Sequence, residues 1–226
     1  MFPSEQLLEL IKERRSVRLF NEQKIPREDI LSIIEAGIWA PTGCNNQELR
    51  FLILDREEEI AEIMEFKPFK GVSAVVLIFC DMSLPMSQKM YVKCNSEKHL
   101  PYVDAGLAIE NMVLHAKSKG IDSCIFNLSE YHFKIVRSDK RLIEKIMDRI
   151  KIKLRFHKSV KGNLDFYLRK RLKIPDHFKI ICGVAFGYAK RYPEVTESHG
   201  DKLIMRKPVD HYIITSSGSV NSSRRC

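Results

Sequence analysis

The chain has 226 residues, 44% of them hydrophobic and 30% charged, with a formal net charge of +9. This is ordinary globular composition and excludes disorder of the whole. The longest apolar run, Ala74–Cys80, is far too short to cross a bilayer, and Met1–Glu5 has no basic region leading into an apolar one, so a cytoplasmic protein with no membrane partner is expected.

Ser4 can cap a first helix with Leu7, Leu8 and Ile11 on its apolar side, which delivers Arg14-Arg15-Ser16-Val17-Arg18 at its C-terminal end. Three guanidinium groups and a hydroxyl in five positions suit a phosphate, although a basic turn accounts for the same residues. Pro26 suits a first helical turn, and Ile30, Leu31, Ile33, Ile34 and Ile38 form a broad apolar face ending at Ala40-Pro41. After a loop over Thr42–Gln47, Phe51–Leu54 reads as a strand, Glu57–Phe66 as a helix and Ala74–Cys80 as a buried strand. Asp81–Leu100 has no clean period and is expected to be an irregular excursion or lid.

From Pro101, Val103, Leu107, Ala108, Met112, Val113 and Ala116 predict a long helix stopped by Gly120. Ser123–Asn127 reads as a strand with a buried Cys-Ile-Phe centre. Residues 142–150 and 164–172 are expected to be helical and Lys151–His157 a solvent-faced strand; Lys179–Phe186 is a further strand closed by Gly187-Tyr188. The end of the chain, 216–226, is polar and is expected to be a disordered tail. Helices intermixed with strands indicate an α+β or α/β layer protein.

Charge and thiols narrow the chemistry. Residues 132–173 carry a net +11, so the rest of the chain comes to −2 and the basicity belongs to one segment. Six cysteines, at 44, 80, 94, 124, 182 and 226, form no Cys-x-x-Cys pair and no zinc spacing, which fits reduced thiols and no metal site. The segment Ala40-Pro-Thr-Gly-Cys-Asn-Asn-Gln47 lies between a helix end and a strand start. Its Thr42, Asn45 and Gln47 offer uncharged donors and acceptors for a polar heterocycle, or make an ordinary turn-rich connection.

Five motifs in order carry a resemblance: Arg14-Arg15-Ser16-Val17-Arg18, Ala40-Pro41-Thr42-Gly43-Cys44-Asn45-Asn46-Gln47, Asp104 through Asn111 to Gly120, Gly187-Tyr188, and Arg206-Lys207-Pro208. Together they resemble the nitroreductase family of FMN-dependent oxidoreductases. The resemblance implies a three-layer α/β/α sandwich around a mixed, mainly antiparallel sheet, in an interlocked homodimer with FMN at the interface. The expected domain is 1–215, with a basic insertion at about 128–163.

Carried over by position, the resemblance places Arg14, Ser16 and Arg206 on the FMN phosphate, with Arg15 beside them, and Arg18 at the pyrimidine edge of the flavin. Pro41, Thr42, Gly43 and Asn45 would contact the flavin from the other subunit, and Ile125, Phe126 and Asn127 would border the ring and N5. The implied reaction takes hydride from NADH or NADPH and passes electrons to a small-molecule acceptor, a nitroaromatic or quinone, by a ping-pong mechanism that needs no catalytic side chain. Dehalogenation, desaturation, flavin storage, or binding of an anionic polymer through the basic insertion are the alternatives; nucleic acid is the disfavoured partner because aromatic interleaving is sparse. Two departures stand on the substrate side: Gln47-Glu48-Leu49 where the family often reads Gln-Pro-Trp, and Phe126-Asn127-Leu128 where it often includes Gly.

Overall fold

The computed structural model describes residues 4–64, 67, 69–84, 100–128, 169, 171–193 and 212. In chain order they hold helices α1 (Ser4–Glu13) and α2 (Arg27–Ile38), strand β1 (Leu49–Leu54), α3 (Glu57–Met64), β2 (Ala74–Asp81), α4 (Leu100–Ser118), β3 (Asp122–Phe126) and β4 (Phe178–Gly187). The expected elements at 142–150 and 151–157, most of the lid at 81–100, Phe66, most of the helix at 164–172 and the tail at 216–226 lie outside the described residues. Met1–Tyr192 forms one compact unit and Pro193–Cys226 a second, of which only Pro193 and Tyr212 are described.

All four strands form on the apolar runs; β1, β2 and β4 extend one or two residues past them, because backbone pairing does not require an apolar side chain, and β3 begins one residue early and stops before Asn127. The sheet order is β1-β2-β4-β3 with every pair antiparallel. A parallel bridge, Ser16 to Ser123, adds the arginine segment at the far edge, so the sheet is mixed and mainly antiparallel. All eight residues of β2 are buried. Alternation sends Val75, Leu77 and Phe79 into one core with Val17, Phe20, Ile60, Ile63 and Phe126. It sends Ala74, Val76 and Ile78 into the other, with Ile30, Ile33, Ala105, Met112 and Phe186. Helices α2 and α4 therefore cover one face, α3 and the stretch through Phe20 the other, giving the α+β sandwich expected.

Helix α4 ends as Gly120 predicts. Gly120 adopts φ +74, its N–H donates to the Lys117 carbonyl at 2.9 Å, and the Ile121 N–H reaches back to the Ala116 carbonyl at 2.9 Å. This is the paired bond pattern of a left-handed helix cap. Gly71 serves differently. At φ +70 it lies against the backbone of Phe20, where an added Cβ would meet the carbonyl oxygen at 2.3 Å.

Several expectations change. Ser4 is the first residue of α1 and Pro26 is the residue before α2, not within its first turn. Leu7, Leu8 and Ile11 are exposed, and no residue of α1 is buried. In α4 the buried stripe is Pro101, Ala105, Ala108, Ile109, Met112, Val113 and Ala116, so Val103 and Leu107 sit on a second, exposed face. Ile125 is exposed although its neighbours Cys124 and Phe126 are buried, because strand alternation turns it out of the core. Leu31, Ile38 and Trp39 are likewise exposed, the tryptophan at 79%. Among the described residues no helix is long and apolar enough to cross a membrane.

Candidate functional site

After α1 the chain runs extended beside β3. Val17 donates its N–H to the Ser123 carbonyl at 3.0 Å; further on, Phe20 N–H donates to the Lys70 carbonyl at 2.8 Å and Lys70 N–H to the Arg18 carbonyl at 3.1 Å. Val17 and Phe20 are buried, which fixes the segment's orientation. Alternation then groups Arg14, Ser16 and Arg18 on the side away from Val17. Each of the three acts on Cys124: burial pushes its thiol pKa up, against the pull of Arg18, Arg14 and Ser16.

The three arginines have different surroundings. Arg14 is half-buried with its Nε 3.8 Å from Glu110 of α4, a loose ion pair. Among the described residues no carboxylate pairs with Arg18, whose guanidinium only approaches the Ser16 carbonyl at 3.5 Å. Arg15 turns back instead and donates to the Lys12 and Arg14 carbonyls, capping the C-terminus of α1. The structure thus brings Arg14, Ser16 and Arg18 together and commits Arg15 to the helix end. Arg206 lies outside the described residues.

At the end of β3, Ile125 and Asn127 face outward while Phe126 is packed edge-on to Phe69, with centroids 5.8 Å apart, and against Gly183. Only the backbone of Phe126 is available to a ligand. Lys67 donates its ammonium to the Asn127 carbonyl and stands 5.5 Å from the Phe126 ring; burial lowers its pKa. Sequence reasoning missed Lys67, since a lysine after a short helix carries no motif. Its placement makes a third cation along β3.

The loop after α2 is strained. Cys44, Asn45 and Gln47 have φ of 54, 55 and 52, a left-handed region costly for residues with a side chain. Strain of this kind persists only where the surroundings enforce it. Here the Thr42 carbonyl accepts from Asn45 N–H at 2.9 Å, the Thr42 hydroxyl from Gln47 N–H at 3.0 Å, and Asp104 of α4 from Gly43 N–H at 3.1 Å. Gly43 is tight against Leu100, which an added Cβ would meet at 2.4 Å, so its small size serves packing on α4. Pro41, Cys44, Asn45 and Gln47 are exposed, and Thr42 and Gly43 half-buried. The arginine segment and this loop both dock on α4, at Glu110 and Asp104; six residues apart, these lie about 9 Å apart along the axis.

Beneath the loop lies a carboxyl pair. Glu48 is 3% exposed and Asp104 2%, and burial first and the neighbouring Asp104 second push the Glu48 pKa up. In the sequence Glu48 was visible only as a departure from Gln-Pro-Trp. Among the described residues no group of three or more His, Cys, Asp or Glu is arranged to hold a metal ion.

What the site can do follows from its donors: two guanidinium groups, a hydroxyl and an ammonium along one strand edge suit an anionic ligand, and the polar loop suits an uncharged heteroaromatic face. Comparison with known proteins bears on this. A Methanothermobacter thermautotrophicus protein that carries the name NADH dehydrogenase/NAD(P)H nitroreductase is 27% identical over 119 residues, 51% of this chain and 57% of that protein. An iodotyrosine deiodinase from Thermotoga neapolitana is 29% identical over 132 residues, 52% of this chain and 71% of the relative. Thus the chain spans little more than half the length of the first of these relatives.

Among solved structures, one from Desulfovibrio desulfuricans, described as a nitroreductase in complex with FMN, superposes with a TM-score of 0.62 at 20% identity, covering 93% of this chain and 96% of that one. At such identity the likeness speaks for the fold. The model of the nitroreductase family matches residues 11–188, from the arginine segment to Tyr188, and the chain belongs to that family.

Proposed function

We propose that the protein is an FMN-dependent NAD(P)H oxidoreductase, acting as a homodimer on a small-molecule acceptor. The observation that carries the reading is the cluster of Arg14, Ser16 and Arg18 around Cys124, with Lys67 at the adjoining strand end. Arg14 and Ser16, with Arg206, would hold the phosphate. Arg15 would contribute through the helix end it caps. Arg18 would stand at the pyrimidine edge, where a fixed positive charge favours the reduced, anionic form. The backbone of Ile125, Phe126 and Asn127 would border the ring, with Lys67 fixing the Asn127 carbonyl. Pro41, Thr42, Gly43 and Asn45 would reach the ring from the partner subunit.

Bound there, FMN would supply hydride acceptance from NADH or NADPH and onward reduction of a nitroaromatic, quinone or similar acceptor by a ping-pong mechanism. The names of the Methanothermobacter relative and the Desulfovibrio complex support this class. The exposed apolar residues Leu7, Leu8, Ile11, Leu31, Ile38, Trp39, Val103 and Leu107 on α1, α2 and α4 support a second copy as the partner. No covalent or acid-base role is assigned to a side chain, and a cytoplasmic setting fits the reduced thiols. The match to an iodotyrosine deiodinase keeps reductive dehalogenation as the second reading of the acceptor.

The test is an absorption spectrum after FMN is added and the excess removed. Oxidised-flavin bands that are lost in Arg14→Ala and Arg206→Ala, and bleached by NADH or NADPH, are expected. A colourless wild-type protein would overturn the reading.

A further inference from the structure

Glu48 precedes β1, and its backbone carbonyl accepts the Asp81 N–H at 2.9 Å, so the side chain is anchored under the loop. Its Oε2 is buried and meets no donor in the protein. Its polar neighbours are Asn46 and a second acidic side chain, Asp104, whose Oδ2 already accepts the Gly43 N–H at 3.1 Å. Ionising both of two neighbouring buried carboxyls is disfavoured. A proton on Glu48 supplies a donor between the two side chains while Asp104 Oδ2 stays the acceptor for the Gly43 N–H.

We infer that Glu48 is a positioning residue: its proton clamps Asp104 onto the Gly43 amide and so latches the loop 42–47 in its left-handed shape, and loss of that proton releases the latch. The groups facing the pair agree with this assignment. Asn46, on the loop, donates a hydrogen bond that favours the charged form of Glu48, but burial outweighs it. Cys80 of β2 faces Glu48, Asp104 and Asp81, and burial, followed by these carboxylates, pushes its thiol up to about 11, so it adds no positive or early-titrating charge. Lys179 of β4 pulls the Cys80 thiol the opposite way. Asp81 is itself occupied by Ser83, with His177 and Arg50 beside it, and Arg50 is held at 3.7 Å. The cations nearby are thus shared among several carboxyl groups, and burial still favours a protonated Glu48.

The sign follows. A carboxyl whose pKa is raised on folding contributes while it is protonated, and the contribution is lost as the pH rises through the raised value. The loop is therefore latched on the acidic side of the Glu48 transition and loose above it. Where the flavin reading holds, FMN affinity falls by up to tenfold per pH unit across that transition, as for one linked proton.

The experiment uses the full chain without flavin first. Trp39 is the only tryptophan, exposed and three residues before Thr42, so its emission reports on the loop. Wild type and Glu48→Gln are titrated with alkali side by side. The glutamine amide keeps a donor toward Asp104 and does not ionise, and the difference between the two cancels tyrosine ionisation. A transition on raising the pH in wild type that is absent in Glu48→Gln, with a protonated-carboxyl infrared band lost in the same variant, is expected; the same transition in both overturns the latch. Should Glu48→Gln fail to fold, Asp104→Asn serves: removing the like charge moves the Glu48 transition to lower pH, and an unmoved transition overturns the proposal. FMN titration follows. A pH-dependent Kd in wild type and a flat one in Glu48→Gln supports the latch, and a Trp39 transition in a chain that takes up no FMN supports the latch while overturning the flavin reading.

Discussion

Gly71→Ala tests how the arginine segment is held. Gly71 has φ +70, and its added Cβ would stand 2.3 Å from the Phe20 carbonyl oxygen and 2.7 Å from its carbon. Both are backbone atoms that cannot rotate aside. Gly120→Ala is the control, because Gly120 has φ +74 and nothing within 4 Å of the added Cβ. Both variants bear the cost of a side chain in the left-handed region, about 1–2 kcal/mol, and both gain equally from a stiffer unfolded chain. Only Gly71→Ala adds overpacking, roughly 1–3 kcal/mol.

In a protein of this size each kcal/mol lowers Tm by about 2–4 °C. Net of the unfolded-chain gain of about 0.4–1 kcal/mol, Gly120→Ala is expected to lose up to about 6 °C, and Gly71→Ala roughly 2–12 °C more. Differential scanning calorimetry on both reads the difference. Equal Tm values would refute the claim that close approach, and not φ alone, demands glycine at 71. Because Phe20 terminates the Arg14–Phe20 segment, the added loss should be accompanied by weaker FMN uptake in Gly71→Ala and not in Gly120→Ala.

Further outcomes are expected elsewhere. Gly183→Ala brings a Cβ within 2.4 Å of the Phe126 ring and should cost about 1–3 kcal/mol in urea unfolding, with Phe126→Leu in the same chain recovering part of it; strict additivity would dismiss the contact. Arg14→Ala removes a charge-assisted phosphate contact and should weaken FMN binding by about 1.5–3 kcal/mol, roughly 10- to 150-fold in Kd, measured by fluorescence titration. The Asp81 pKa is held down mainly by Ser83, whose hydroxyl donates at 2.6 Å, so its contribution to stability is present above the ordinary carboxylate range and lost as pH falls through the depressed value. Ser83→Ala should move the Asp81 titration upward in carbon-detected NMR, and an unmoved titration rejects the assignment. Trp39→Glu should give monomers in sedimentation that no longer retain flavin; retained dimers would place the interface elsewhere.

Much of this architecture was legible because its signals are local. The seven-residue apolar run became the buried central strand, and Gly120 stopped α4 where it stood in the sequence. The family motifs located the arginine segment and the loop. What stayed hidden depends on contacts between distant residues. Nothing in Arg14-Arg15-Ser16 distinguishes the arginine that faces the site from the one that caps α1, since that choice is made by the extended pairing with Ser123. Lys67 and Glu48 gain meaning only from Asn127 and Asp104, tens of residues away. Leu7, Leu8 and Ile11 gave the right helix and no core contact, because an apolar face says that it will be covered and not by what.

The strand order sets a schedule for synthesis. β2 can pair with β1 as soon as both leave the ribosome, but β3 is attached to the sheet through β4, which ends at Gly187. The arginine segment, among the first residues made, is in turn seated on β3. A nascent chain that stops before β4 therefore holds one hairpin and an unplaced edge, and its cationic N-terminus has no seat until about four-fifths of the chain has emerged. By this order the interval most exposed to aggregation falls between the making of β2 and the arrival of β4.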